Sequence, residues 1–148
     1  MEFHQRHCTP CRGGVPPLTA AEAGRFAPLV PDWLVEDRAT RLVRAVAFPD
    51  YAQALAFVNA ISAVAEAEGH HPDIRFGWGY VTVSLHTHAI GGLHENDFLL
   101  AAKFDRLVSE ASREPPALAT GSAGTSPADR PDRPAQDTNG QGANGKLA

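Results

Sequence analysis

The strongest constraint on the fold is a long helix predicted over residues 50–69, DYAQALAFVNAISAVAEAEG. Asp50 can cap its first turn, and apolar side chains recur every three or four positions, so one face can pack. Gly69 supplies a stop, and the proline that follows His70 and His71 prevents the helix from continuing. The alanine-rich surface of this helix allows close packing against a sheet.

Strand patterns lie on both sides of this helix. Residues 33–37 and 40–48 are typical of a β-hairpin with a turn around residues 37–40. Residues 73–88 alternate, and their glycines at positions 77 and 79 divide a short strand, residues 74–78, from a longer one. One face of the longer strand carries Val81, Val83, Leu85 and Thr87.

Two further helices complete the predicted order. Thr19 and Glu22 have the spacing of a capping box, so a short helix begins there and ends before Pro31. A last helix is predicted over residues 95–109, with an apolar stripe along one side. The order helix, two strands, helix, two strands, helix favours an α+β fold in which helices cover one face of an antiparallel sheet. The other face is then solvated or used for assembly.

Composition divides the chain into three parts. Residues 113–148 contain no aromatic side chain and many Pro, Gly, Ser and Ala residues, which predicts a disordered C-terminal tail. Residues 1–17 are polar and rich in Gly and Pro, which favours a flexible N-terminal arm. Residues 18–112 remain as the folded domain. The formal net charge of −4 gives no basic surface for nucleic acid, and without a long apolar run or a signal-peptide pattern the expected location is the cytoplasm.

A C-x-x-C motif, Cys8 to Cys11, lies within the arm. Together with His4 and His7 it could form a four-ligand zinc site, and the same spacing occurs in redox motifs. Nothing around the motif predicts a strand or a helix to hold it. A mobile arm is therefore favoured over metal or redox chemistry.

Five of the seven histidines lie between residues 68 and 98, which raises the question of a functional site. His86 and His88 stand two positions apart on a predicted strand and point the same way, yet a catalytic zinc needs three protein ligands and no zinc-protease motif is present. Imidazoles near neutral pH can also give and take protons, with Glu66 or Asp97 nearby. Composition and spacing leave metal binding, proton transfer and a solvated surface all open.

The segments EAEGHHPDI and VTVSLHTHAIGGLHENDFLLAAKFD closely resemble the pterin-4a-carbinolamine dehydratases. The shared pattern is His-His-Pro after a helix, Thr-His at the end of a strand, then Gly-Leu and an aspartate that opens the last helix. The similarity extends over about residues 8–110. It implies a four-stranded antiparallel sheet with helices on one side, and assembly into dimers or tetramers through the sheet.

The resemblance also implies a reaction, the removal of water from a 4a-hydroxy-tetrahydropterin to give a quinonoid dihydropterin, without a metal or other cofactor. A protonated imidazole would donate to the leaving hydroxyl, and a second group would accept the N5 proton. The residues implied to act in catalysis are His70, His71 and His88, of which His71 and His88 are the favoured essential pair. Those implied to hold the substrate are Glu66, Pro72 and Asp97.

Several positions depart from the family pattern. Trp78-Gly79-Tyr80 stands where members commonly carry Tyr-Asn followed by a basic residue, and His94 replaces the usual Ser or Thr cap. We interpret His86 and His94 as structural or surface residues. A dehydratase of this family would work in tetrahydrobiopterin-type recycling, with an aromatic amino acid hydroxylase as a candidate partner. The alternative functions are a dimerisation or regulatory cofactor and a zinc protein.

Overall fold

A computed structural model of the chain describes residues 1–10, 13–36 and 38–113. The predicted disordered tail, apart from its first residue, lies outside these described residues, and so does Cys11 of the C-x-x-C motif. The α-helices within these ranges are α1 (Ala20–Phe26), α2 (Tyr51–Glu68) and α3 (Glu95–Ala111). The four strands are β1 (Leu34–Glu36), β2 (Arg41–Ala47), β3 (Asp73–Gly77) and β4 (Tyr80–Leu85).

The strands form one antiparallel sheet in the order β1-β2-β4-β3. Helices α2 and α3 pack on one face of this sheet and against each other. The predicted α+β class, with helices on one side of a four-stranded antiparallel sheet, is therefore confirmed. No helix in the described part of the chain has both the length and the apolar character that a bilayer crossing requires.

The predicted helix ends agree with the backbone. The Asp50 side chain accepts a hydrogen bond from the Gln53 N–H at the start of α2, and Gly69 ends that helix in the left-handed region with φ of 63°. Thr19 and Glu22 form the predicted capping box of α1. Helix α3 begins at the predicted residue and ends two residues later than predicted. The short strand expected at residues 74–78 is shifted by one, to Asp73–Gly77.

The core lies between the sheet and the two long helices. From β4 the alternate residues Val81, Val83 and Leu85 are fully buried, as the sequence alternation predicted. They meet the buried stripe of α3 and one face of α2. The largest side chains buried there from outside β4 are Phe98, Phe104, Leu42, Ile61 and Leu93.

The N-terminal arm lies along the helix ends. Phe3–Gln5 forms one 3-10 turn that contacts α3, and the Cys8 N–H donates to Glu68 at 2.8 Å. Asn96 accepts from the Thr9 N–H at 3.0 Å and donates to the Thr9 carbonyl at 2.7 Å. Burial favours a raised pKa at Glu68, but the hydrogen bonds from Cys8, Lys103 and His7 outweigh it, and the net pKa of this carboxyl is lowered. The three-part division of the chain, with a flexible arm, stays a prediction.

Candidate active site

A pocket of about 150 Å³ opens where the C-terminal end of α2 meets the end of β4. Its walls come from two short segments. The first follows α2, and the second follows β4 and includes a 3-10 turn, His88–Ile90. The lining residues are Gly69, His70, His71, His86, Thr87, His88 and Ala89. Four of the seven are histidines, so imidazole is the dominant chemical group of this pocket.

The buried histidine of the pocket is held by a carboxylate. His70 is 7% exposed, and its Nε2 lies 2.6 Å from Oδ1 of Asp97, which is fully buried at the start of α3. The other oxygen of Asp97 accepts from the Thr87 hydroxyl and from the His94 N–H, each at 2.8 Å. Since a carboxylate can only accept, the ring of His70 donates through Nε2 and its orientation is set.

His94 caps α3 in spite of its side chain. Its Nδ1 accepts from the Asn96 N–H at 3.2 Å, while Asp97 reciprocates by accepting from the His94 N–H, which completes a capping box. The structural role predicted for His94 is therefore confirmed. The same carboxylate thus caps a helix and orients a pocket histidine.

A second ion pair lies at the rim. His71 Nε2 is 2.8 Å from Glu66 Oε2, five residues back on the last turn of α2. Both side chains are mostly exposed, at 63% and 82%, so the pair contributes little to stability and its geometry can change when a ligand enters. Pro72 follows directly and begins the path into β3.

The opposite wall carries two touching imidazoles. The ring centroids of His86 and His88 are 3.9 Å apart. Burial lowers the pKa of His86 first of all, and the neighbouring His88 lowers it further, while the Asp73 carboxylate acts in the opposite direction. The His86 ring therefore favours the neutral form.

The fold brings His70, His71 and His88 to one pocket although up to 18 residues separate them along the chain. Glu66, Pro72 and Asp97 are not among the lining residues. Full burial and three donors favour a role for Asp97 in positioning His70 rather than in touching a substrate. The proposed parts of all six residues in catalysis or binding stay predictions.

Sequence reasoning assigned no role to Thr87 or Asp73. Thr87 is 3% exposed, lines the pocket and bonds to Asp97. The sequence did contain a sign of Thr87, because this residue continues, at the same two-residue spacing, the buried apolar row of β4 and is its one polar member. Asp73 lies beside His86 only because β3 pairs with β4, so the chain alone offered no direct sign of it.

Such a site defines a class of protein. The class is that of α+β domains in which several imidazoles, here four, line a cavity large enough for part of a small molecule, and one of them is held by a buried carboxylate. Groups of this kind can donate and accept protons at near-neutral pH.

Comparison with known proteins gives the family. A sequence model described as pterin 4 alpha carbinolamine dehydratase matches residues 16–107. A protein of Methylococcus capsulatus, whose name assigns it provisionally to the pterin-4-alpha-carbinolamine dehydratases, is 53% identical over 72% of this chain and 93% of its own length. A protein of Azoarcus sp. with the same provisional name is 50% identical over 75% of this chain and 95% of its own length. The chain belongs to the pterin-4a-carbinolamine dehydratase family.

A solved structure agrees with the fold. The transcriptional coactivator/pterin dehydratase of Brucella melitensis superimposes with a TM-score of 0.59 at 27% identity, over 62% of this chain and 98% of its own. The family and the names of these relatives support a dehydratase that acts on a pterin carbinolamine.

Proposed function

We propose that this protein dehydrates a 4a-hydroxy-tetrahydropterin to a quinonoid dihydropterin by histidine acid/base catalysis. The observation that carries the proposal is the convergence of His70, His71 and His88 on one pocket in a member of this family. Loss of water requires that the C4a–O bond breaks while the oxygen gains a proton. It also requires that the proton on N5 leaves, so that the electron pair of the N–H bond forms the new C=N bond.

The pocket supports a division of these two proton transfers. His71 and His88 are exposed enough to meet a ligand, so one can donate to the departing oxygen and the other can accept from N5. His70 is held from behind by Asp97 and faces the pocket with a set orientation. We assign it to placing the pterin or to stabilising charge that develops as the C4a–O bond lengthens.

The test is the decay of synthetic 4a-carbinolamine in the presence of the purified full chain. Proton transfer by one positioned side chain contributes roughly 100-fold to 10,000-fold, so we expect His71→Ala and His88→Ala each to lose about 100-fold or more in kcat. His7→Ala, in the N-terminal arm with a side chain 87% exposed, is the matched control and should keep full activity. If both pocket variants turn over as fast as the control, the assignment is wrong.

The family also suggests the metabolic pathway, the location and the oligomeric state of this protein. We infer that the product returns to the reduced state in tetrahydrobiopterin-type recycling, in the cytoplasm, with an aromatic amino acid hydroxylase as the source of the carbinolamine. We also infer a homodimer or homotetramer. Support for these inferences comes from the family resemblance alone.

A second candidate function rests on one relative. The Brucella melitensis protein is described as a transcriptional coactivator as well as a pterin dehydratase, which suggests a regulatory or dimerisation role that needs no turnover. The two functions separate in a pull-down with His71→Ala as bait. A partner that binds the inactive variant and is lost when the outer sheet face is altered would favour the regulatory role, whereas a chain that turns over carbinolamine and retains no partner would remove it.

A further inference from the structure

Three metal-ligating side chains meet at one end of the sheet, beside the histidine pocket. Asp73 opens β3 and is paired in register with Ser84 of β4, so its side chain shares a face with Ser84 and with His86 two residues further on. His88 follows at the start of the 3-10 turn. One ligand atom from each of Asp73, His86 and His88 lies within 4.8 Å of the other two.

The same corner contains unsatisfied polar atoms. Ser84 Oγ and His86 Nδ1 are buried side-chain atoms that lack a hydrogen-bond partner among the described residues. The nearest carboxylate oxygen to His86 Nδ1 is Asp73 Oδ2, at 3.7 Å, which is too long for a hydrogen bond. A buried acceptor or donor without a partner costs roughly 1–3 kcal/mol, so this corner favours a ligand that His86 Nδ1 can bind.

The spacing is close to what a tetrahedral ion needs. Zinc bound to nitrogen or oxygen at about 2.0–2.2 Å places its ligand atoms roughly 3.3 Å apart. The 3.7 Å separation between His86 and Asp73 is near this value. The Asp73 side chain is 62% exposed and His88 is also exposed, so both can move by rotamer changes, while His86 is anchored at the end of β4. Two imidazoles and one carboxylate are a donor set suited to zinc and neighbouring first-row ions.

The local charges favour a cation on balance. The carboxylate of Asp73 would bind the ion directly, and Asp97 adds negative charge from behind the pocket, whereas the guanidinium of Arg41 opposes it. Of the fixed charges that act on His86, two are carboxylates and one is a guanidinium.

We propose that Asp73, His86 and His88 bind a divalent transition-metal ion, with Zn²⁺ as the best fit, and that the bound ion withdraws His88 from proton transfer. A lone pair that coordinates metal cannot carry a proton, so occupancy inhibits dehydration. The inhibition rests on the function proposed above, whereas the metal site does not. This ion is a competitor at the pocket and has no part in the reaction.

Calorimetric titration with Zn²⁺ tests the site without any substrate. The full chain carrying Cys8→Ser and Cys11→Ser serves as background, because the C-x-x-C motif could bind zinc by itself. We expect one Zn²⁺ per chain, and we expect His86→Ser and Asp73→Asn in this background each to weaken binding at least tenfold. His7→Ser is the matched control and should leave binding unchanged. Asp73 is exposed, so its variant remains informative even if His86→Ser does not fold.

Two results would overturn the proposal that Asp73, His86 and His88 bind a metal ion. One is a background protein that takes up no Zn²⁺ at concentrations up to about 1 mM, the weak end of specific affinity. The other is binding that neither His86→Ser nor Asp73→Asn weakens, because the ion then lies elsewhere.

Carbinolamine turnover in the same background, with and without Zn²⁺, tests the inhibition. Activity should fall as the site fills, and Asp73→Asn should need at least tenfold more Zn²⁺ for the same loss. Unchanged or increased activity at full occupancy would contradict the inhibitory role. If the zinc-free protein has no dehydratase activity at all, the proposed function fails, while the calorimetry still decides the metal site.

Discussion

Asp97 joins three parts of the molecule through one buried carboxylate. It accepts from His70 after α2, from Thr87 after β4 and from the backbone of His94 at the start of α3. Hydrogen bonds to a charged group are among the stronger ones in proteins, and a buried partner left without its match is costly. Asp97, which orients the ring of His70, is therefore also a residue that stabilises the domain.

Asp97→Asn should show both consequences. An amide cannot accept three hydrogen bonds in the same geometry, so we expect a loss of roughly 2–4 kcal/mol in the free energy of unfolding, measured by urea denaturation. We also expect kcat to fall more than KM rises, because His70 loses its orientation. Asp50→Asn, which keeps a good helix cap at α2, is the control and should change both quantities little. Full activity in Asp97→Asn would contradict the positioning role.

His86 makes stability depend on pH. Its pKa is lowered in the folded chain, by burial first and then by His88, with Arg41 acting the same way and Asp73 and Asp97 against it. In the unfolded chain His86 has an ordinary pKa near 6.5, so the unfolded state binds this proton more readily than the folded state. Protonation of His86 therefore lowers the free energy of unfolding as pH falls below about 6.5 and has no effect above it.

His86→Gln removes this dependence. The melting temperature of the wild type should fall relative to that of the variant between pH 7.5 and pH 5.5, as measured by thermal unfolding at both values. His7→Gln, whose exposed ring lies in the arm, should give a smaller difference. Parallel melting curves for wild type and His86→Gln across this range would count against the effect.

At the scale of elements, the site depends on how two segments end. Helix α2 must stop sharply for His70 to turn back toward α3, and Gly69 allows this with its left-handed backbone. The strand β4 ends at Leu85, after which Thr87 pairs with Gly92 and the chain turns through His88. The positions of the pocket histidines are therefore set by the residues that end α2 and β4.

Two glycine substitutions test the effect of the backbone angle φ on stability at sites where an added side chain is not crowded. A side chain added at Gly69 or at Gly24 would meet no atom within 4 Å, but only Gly69 has positive φ. Gly69→Ala should lower the free energy of unfolding by about 1 kcal/mol, and Gly24→Ala, inside α1, should raise it by about 0.5–1 kcal/mol. Urea denaturation measures both. Changes of the same sign would show that φ does not decide the effect.

At the scale of the whole molecule, the sheet has one covered and one open face. The open face carries small and apolar side chains such as Ala45 and Ala47 of β2, with Leu34 60% exposed and Tyr80 41% exposed beside them. A surface of this kind suits contact with a second copy, in keeping with the assembly that the family resemblance implies.

Light scattering during gel filtration measures the molar mass of the protein and so tests whether the chain forms an oligomer. We expect a mass that is a multiple of the 15.8 kDa chain, and we expect Ala45→Arg to return it to a single chain, because the arginine would stand at the centre of the open face. Ala63→Arg, on the exposed side of α2, is the matched control and should keep the larger mass. A wild-type mass of 15.8 kDa would contradict assembly through the sheet.

Local patterns in the sequence determined the elements and their caps. Alternation in β4, the three- and four-residue spacing in α2, Asp50, Gly69 and the Thr19–Glu22 box act over a few residues, so they can be recognised in the chain alone. His70, His71 and His88 were identified through the family resemblance, since spacing left three interpretations open.

Only the tertiary structure decided which side chains meet. The contact of Asp97 with His70, and the cluster of Asp73, His86 and His88, depend on strand register and on how α3 docks beside α2. The burial of Asp97 and its contact with His70 favour a positioning role, while its predicted part in holding the substrate stays a prediction. Such contacts join residues far apart in sequence, and their energies depend on surroundings that the whole fold creates.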